Sequence, residues 1–336
     1  MAGRVTIKTI ARDLGVSHMT VSRALSDHPN VQKETREAVQ RRARELGYVK
    51  SAAASMMRGD TVNIVGLLLP NIVNEFYARF ANEMAIACEA HSHHLIIHLT
   101  NDDIQNEAQA LGRLREVQAK SVVMVPAPGD TGASDPHLEN MKVLQLIRRR
   151  NMPGPSGAIL VDDRAAIRDA VVHLARNGHR HVAYIGADAH LSSGRERRAA
   201  FLDGLSVAGL DEDPRLIISG APSFEMGRRS ASAVLDGKAA TSVVCGGFEI
   251  SNGALSVLME RGCHPNGPFT FVGYGDPSYY AWIGGGISAI KVPVGELARR
   301  AAHRVVANPD QAAPGFGISE SFPAELVDRG GGDPAP

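Results

Sequence analysis

The sequence predicts an α/β protein, with a helix-turn-helix head of three helices over residues 1–50 and a core over residues 61–329 made of two Rossmann-like subdomains. Three observations lead there. Apolar residues repeat with a helical period as far as Leu46 and then, from Ile64 on, gather in short runs separated by amphipathic stretches. Charge divides at the same place. The 336 residues carry 36 Lys+Arg against 36 Asp+Glu, yet residues 1–60 hold a net +5 that the remainder balances with −5. Finally, a core of this length exceeds one comfortable doubly wound domain, so it divides in two, with a ligand crevice between the carboxyl ends of the strands.

In the head, Ile7, Ile10, Ala11 and Leu14 fall on one helical stripe behind Thr6 as N-cap, and Gly15 supplies the left-handed stop. Ser17 or His18 opens a second helix with Val21, Ala24 and Leu25 inward, and Asp27-His28-Pro29-Asn30 breaks it. The third helix runs from about Lys33 to Leu46, with Val39 and Ala43 inward and Gly47 as its stop. Two short helices joined by a tight Gly-containing turn place the second in the major groove of DNA. His18, Met19 and Arg23 then reach base edges, and the hydroxyls of Thr6, Ser17, Thr20, Ser22 and Thr35 suit phosphate oxygens.

Residues 51–60 follow as a linker in which Ala52 to Met57 favour helix but are too few to form one alone in water. The core reads as nine apolar strand runs: Ile64–Leu69, Leu95–Leu99, Val122–Val125, Ala158–Val161, Val182–Ile185, Leu216–Ile218, Val243–Cys245, Phe269–Val272 and Ile287–Ile290. Gly178, Gly209 and Gly262 stop the intervening helices, a rhythm that specifies parallel sheets covered by helices. Residues 330–336 read as a disordered tail.

The string Val5-Thr6-Ile7-Lys8-Thr9-Ile10-Ala11-Arg12-Asp13-Leu14-Gly15-Val16-Ser17, with Thr20-Val21-Ser22-Arg23-Ala24-Leu25, Val31, Thr35-Arg36 and Glu45-Leu46-Gly47-Tyr48, resembles the headpiece of the LacI/GalR (lactose repressor) family. The resemblance implies a homodimeric transcription regulator, a repressor by default, that binds a pseudopalindromic operator under the control of a small effector. It also implies a hinge helix at residues 51–60, with Ala54, Met56, Met57 and Arg58 at the minor groove and Met57 in place of the usual wedging Leu. The core it implies is periplasmic-binding-protein-like. Its three crossings fall near Val161, near Lys291 and close to Phe322, giving an N-subdomain of 61–161 and 292–321 and a C-subdomain of 162–291 and 322–329.

For the effector site the resemblance implies Asn71, Phe76 and Arg197, and Asp162, Ser193, Phe248 and Asp276 are candidates beside them. The departures from the family pattern are informative. Gly247-Phe248 stands where the family has Asn-Asp, and Gly275, followed by Asp276, stands where it has an Asp for sugar hydroxyls. With those groups gone and Phe76, Phe248 and Trp282 adding apolar surface, a neutral hexose would bury unpaired hydroxyls at about 1–3 kcal/mol each. The expected effector carries an anionic group for Arg197 on a flatter body, such as a modified sugar acid or an aromatic acid.

Other classes are disfavoured. The apolar runs are far shorter than the roughly 20 residues of a spanning helix, and Met1 to Ile10 lacks a secretory core, which points to the cytoplasm. Cys88, Cys245 and Cys263 lie far apart, so no disulfide framework or thiolate metal site is expected. His91, His93, His94 and His98 lack the spacing of a tetrahedral metal set, and neither a nucleophile elbow nor a Walker loop is present. No catalysis and no cofactor is therefore expected. The competing reading is a solute-binding protein of the periplasmic type without DNA function, which the core alone would permit and the basic head argues against.

Overall fold

A computed structural model describes residues 5–26, 28–48, 63–129, 132–139, 141–306 and 317–330. They form two compact units that part between Val62 and Asn63.

The first unit holds α1 (Ile7–Leu14), α2 (His18–Leu25) and α3 (Lys33–Glu45). Thr6 caps α1 in a reciprocal capping box with Thr9, and Gly15 ends it at φ 63°. Ser17 caps α2 by accepting from the Thr20 amide at 3.0 Å. Ile10, Ala11, Val21, Ala24, Val31, Val39 and Ala43 make its small core, while Arg42 ties α3 to α1 by donating to Asp13 from Nε at 3.1 Å and Nη2 at 2.7 Å.

The second unit contains β1 (Ile64–Leu69), α4 (Glu75–Ala90), β2 (His94–Leu99), α5 (Ile104–Glu116), β3 (Ser121–Met124), α6 (Asp135–Leu138), β4 (Lys142–Leu146) and β5 (Ser156–Asp162). There follow α7 (Arg164–Arg176), β6 (Val182–Ala187), α8 (Ser192–Ala208), β7 (Ile217–Gly220), α9 (Phe224–Gly237), β8 (Ser242–Gly246), α10 (Phe248–Glu260), β9 (Thr270–Tyr274) and β10 (Ala289–Lys291). The chain then runs through α11 (Val294–Val306), β11 (Ser319–Pro323) and β12 (Glu325–Val327). The strands make two six-stranded sheets, in the orders β11-β5-β4-β3-β1-β2 and β12-β10-β9-β8-β6-β7, parallel except for β12. The inner strands are buried along their length, as apolar runs between two helical layers require.

Three strands of this core do not stand out in sequence. β4 carries a polar Gln145 whose amide is buried on Arg150 and Ser156, and β11 is an edge strand, Ser-Glu-Ser-Phe-Pro, with alternating exposure. β12 has three residues. The last crossing lies at Ala324: Phe322 and Pro323 still pair with Val161 and Asp162 in the first sheet, and Glu325 begins the strand that joins the second. Among the described residues no helix is long and apolar enough to cross a membrane.

Candidate functional site

In the head, α2 presents His18, Met19 and Arg23 to solvent, and Met19 is 54% exposed. Arg23 makes no ion pair with any described residue. The hydroxyls expected on phosphate serve as caps here: Thr6 Oγ1 accepts from the Thr9 amide at 3.3 Å, and Ser17 Oγ and Thr20 Oγ1 lie 2.8 Å apart. A cap uses the oxygen as acceptor, and in the Ser17–Thr20 pair one of the two hydroxyls gives its proton to the other, which leaves the second proton to donate. Ser22 and Thr35 are half-buried. Ala54, Met56, Met57 and Arg58 lie outside the described residues.

In the core, a cavity opens between the two sheets, lined by residues at or just past the carboxyl ends of β1 (Pro70, Asn71), β4 (Ile147, Arg148), β6 (Ala187) and β8 (Gly246, Gly247). Val161, Tyr274 and Val292 complete this floor at the ends of β5, β9 and β10. Of the residues expected from sequence, Asn71, Phe76, Ser193, Arg197 and Phe248 line it.

Two acids and a tryptophan do not. Asp162 is drawn outward by Arg164, whose Nε donates at 3.0 Å and which holds the carboxyl below its usual range. Asp276 accepts from Arg329 Nη1 at 2.7 Å, away from the cavity. Trp282, expected to add apolar surface, is 71% exposed and elsewhere.

Arg197 is not an uncompensated charge. Its Nε donates to Asp163 Oδ2 at 2.6 Å, its Nη1 to the Gly246 carbonyl at 3.1 Å, and its guanidinium lies 4.2 Å from the Tyr274 ring centre. The Tyr274 hydroxyl donates to the same Asp163 oxygen at 2.5 Å. Burial opposes the arginine's charge, but Asp163 and Tyr274 together outweigh it and raise its pKa. Burial likewise pushes the Tyr274 hydroxyl well above its ordinary value.

The second cavity arginine, Arg148, donates from Nε to the Pro126 carbonyl at 2.7 Å and from Nη2 to Asp102. Glu249 is a further lining carboxylate, and burial raises it above the usual range against the opposing hydrogen bond of Asn252. Asp163, Arg148, Tyr274 and Glu249 were not singled out in the sequence. The adjacent Asp162-Asp163 pair gives no sign of which acid turns inward.

Two of the four clustered histidines turn to backbone carbonyls. His91 Nδ1 lies 2.9 Å from the Ala87 carbonyl and His93 Nδ1 2.8 Å from that of His91, and no group of described residues is arranged to hold a metal.

These two sites match known proteins. Residues 6–51 match the family model for bacterial regulatory proteins of the lacI family, and residues 171–330 match the periplasmic-binding-protein-like domain. Over 330 residues the chain is 26% identical to the HTH-type transcriptional regulator GalR of Escherichia coli K12, covering 96% of this chain and 94% of GalR. It is 23% identical to the regulator DegA of Bacillus subtilis, covering 97% of each. The fold is that of the lac repressor dimer solved with operator and the anti-inducer ONPF, at TM-score 0.83 and 19% identity over 98% of this chain and 99% of that one. A second solved structure, the regulator CelR in complex with cellobiose, aligns at TM-score 0.68 and 22% identity over 98% of this chain and 100% of that one. With a helix-turn-helix head of the matching sequence joined to a two-lobed binding core, the chain belongs to the LacI/GalR family of DNA-binding transcriptional regulators.

Proposed function

We propose that this regulator represses from a two-fold-related operator as a homodimer, that His18, Met19 and Arg23 read bases while Thr6, Ser17, Thr20, Ser22 and Thr35 position the backbone, and that a small molecule in the crevice sets its affinity. The domain limits expected from sequence go with this reading, as does the hinge at Ala54, Met56, Met57 and Arg58. The carrying observation is the solvent-facing row on α2, above all the exposed Met19 beside the exposed Arg23. A solute-binding protein has no use for such a row, and an exposed guanidinium one turn from a capped helix start is placed for a guanine edge.

The relatives include sugar-binding regulators, but the charges lining this crevice favour another ligand. An anionic group would meet a guanidinium already held by Asp163, with the Glu249 carboxylate also on the wall. A flat, sparsely hydroxylated and neutral ligand, offering a donor to Glu249, fits better than the acid expected from Arg197 alone.

Selection from a random duplex pool tests the DNA reading. It should return a two-fold symmetric site with half-sites about one helical turn apart. Arg23→Ala should relax selectivity at one base pair per half-site by about 1–3 kcal/mol, whereas Thr6→Ala should weaken all sequences alike. Recovery of no enriched site overturns the reading.

A further inference from the structure

Phe248 opens α10 and is buried to 8% exposure in the crevice itself. Its ring stands 5.5 Å from that of Phe76, which belongs to α4 of the other lobe, and 5.7 Å from that of Tyr274 at the end of β9. Phe76 continues the column to Phe80 at 6.1 Å. Four aromatic rings therefore run from one lobe to the other, and three of them, Phe76, Phe248 and Tyr274, line the cavity that a bound molecule would enter.

The column depends on a glycine far away in sequence. A Cβ on Gly275 would lie 2.0 Å from Phe248 Cε1 and 2.3 Å from Cδ1 and Cζ, so the ring fills the volume that any side chain at 275 would need. Gly275 also sits at φ 111°, where side chains are strained in any case. The two departures from the family pattern, Gly247-Phe248 and Gly275, are thus one steric unit.

On the reading that the crevice is the effector site, we propose that Phe248, seated over Gly275, is a built-in occupant. It bridges the lobes without ligand and determines specificity by excluding polyhydroxylated six-membered rings, leaving room only for a flat ligand beside it. Some polar groups on the wall are already engaged: the Asn71 side-chain oxygen accepts from the Asn74 amide at 3.0 Å, and both cavity arginines are paired with carboxylates.

The test is a double-substitution cycle on the full-length protein, read as melting temperature at one protein concentration. Gly275→Ala should lower the melting temperature strongly in the wild type, and at least half of that loss should vanish in Phe248→Ala, where the clash is gone and only the backbone strain remains. Phe248→Leu serves as a milder background should the alanine variant not fold, and should give part of that relief, since it removes the ε and ζ carbons but keeps a δ carbon. Equal losses in all backgrounds overturn the proposal.

Calorimetry with galactose is the second readout. The wild type should give no binding heat at millimolar sugar, and micromolar binding would refute the exclusion. Operator selection on the same preparations separates the two claims: an active operator binder with equal Gly275→Ala losses sinks the occupant alone, whereas intact coupling without operator binding sinks the regulator reading alone.

Discussion

Asp163→Asn isolates the charge that holds the crevice floor together. Asp163 is 3% exposed and Arg197 8%, and the Asp163 oxygen that receives Arg197 Nε at 2.6 Å also receives the Tyr274 hydroxyl at 2.5 Å. An asparagine oxygen can keep both hydrogen bonds but leaves the guanidinium buried with no counter-ion. Breaking a buried pair from one side costs about 3–5 kcal/mol, and the retained hydrogen bonds place this substitution near the lower figure. For a core of this size about 3 kcal/mol corresponds to a loss of roughly 6–12 °C. Thermal unfolding followed by far-ultraviolet dichroism, at one protein concentration and without ligand, measures it. Arg197→Met should be costly for the converse reason, stranding Asp163, and the double substitution should cost far less than the sum because neither charge then remains. A loss below about 1 kcal/mol for Asp163→Asn, or additive singles, would refute the claim that this pair is one electrostatic unit.

Three other outcomes follow from the same kind of reasoning. Ile10→Ala removes a fully buried side chain from a head core in which seven of the described apolar residues are buried; at about 2–5 kcal/mol it should unfold the head and abolish operator shifts, leaving the melting of the core unchanged. His179 is held between Thr241 and Thr270 hydroxyls, each 2.9 Å from a ring nitrogen, and burial lowers its pKa from the ordinary 6.5, with His173 adding to the effect. The neutral ring's contribution is therefore complete above pH 6.5 and is lost as pH falls through the lower folded value, so the core should melt earlier in that window, and His179→Gln should flatten the slope. Glu107→Gln breaks a fully buried hub that accepts from the Ala127 amide at 2.7 Å, Ser134 Oγ at 2.6 Å and Arg150 Nη2 at 2.5 Å; calorimetric melting should fall by the equivalent of about 3–5 kcal/mol.

What the sequence disclosed follows from where the information is local. The head was legible almost to the residue, because caps and stops are set by neighbours: Thr6, Ser17 and Gly15 act within four positions of themselves. β1 was legible because a fully buried parallel strand must be apolar throughout. β11 and β12 were not, because edge strands are specified by the partner they join rather than by their own pattern. The site divides in the same way. Phe76, Phe248 and Arg197 could be marked from the motif, but the choice of Asp163 over Asp162 is made by Arg197, 34 residues further on, and by Tyr274, 111 residues further on. Trp282 shows the converse error: its size suggested a pocket wall, and nothing local could reveal that it faces outward.

The position of Asp163 bears on how a ligand could act on the head. The chain passes between the lobes at Asp162-Asp163, after β10 at Lys291-Val292 and at Ala324, and Val161 and Val292 beside the first two passages line the cavity. A molecule in the crevice therefore touches the backbone segments that must rotate if the lobes change their angle. It also touches Arg197 and Tyr274, both bonded to the acid on one of those segments. Such a ligand shifts the lobe angle only as far as it binds the two angles unequally, and operator DNA must then shift ligand affinity by the same factor. If the Phe248 bridge already favours one angle, a ligand that favours the other must first offset that contact, about 0.5–1.5 kcal/mol for an aromatic pair beyond its area term. Phe248→Leu should accordingly widen the ratio between ligand-bound and ligand-free operator affinity, measured by titration in the shift assay. An unchanged ratio would mean that the lobe angle is set by the crossing segments and not by the rings.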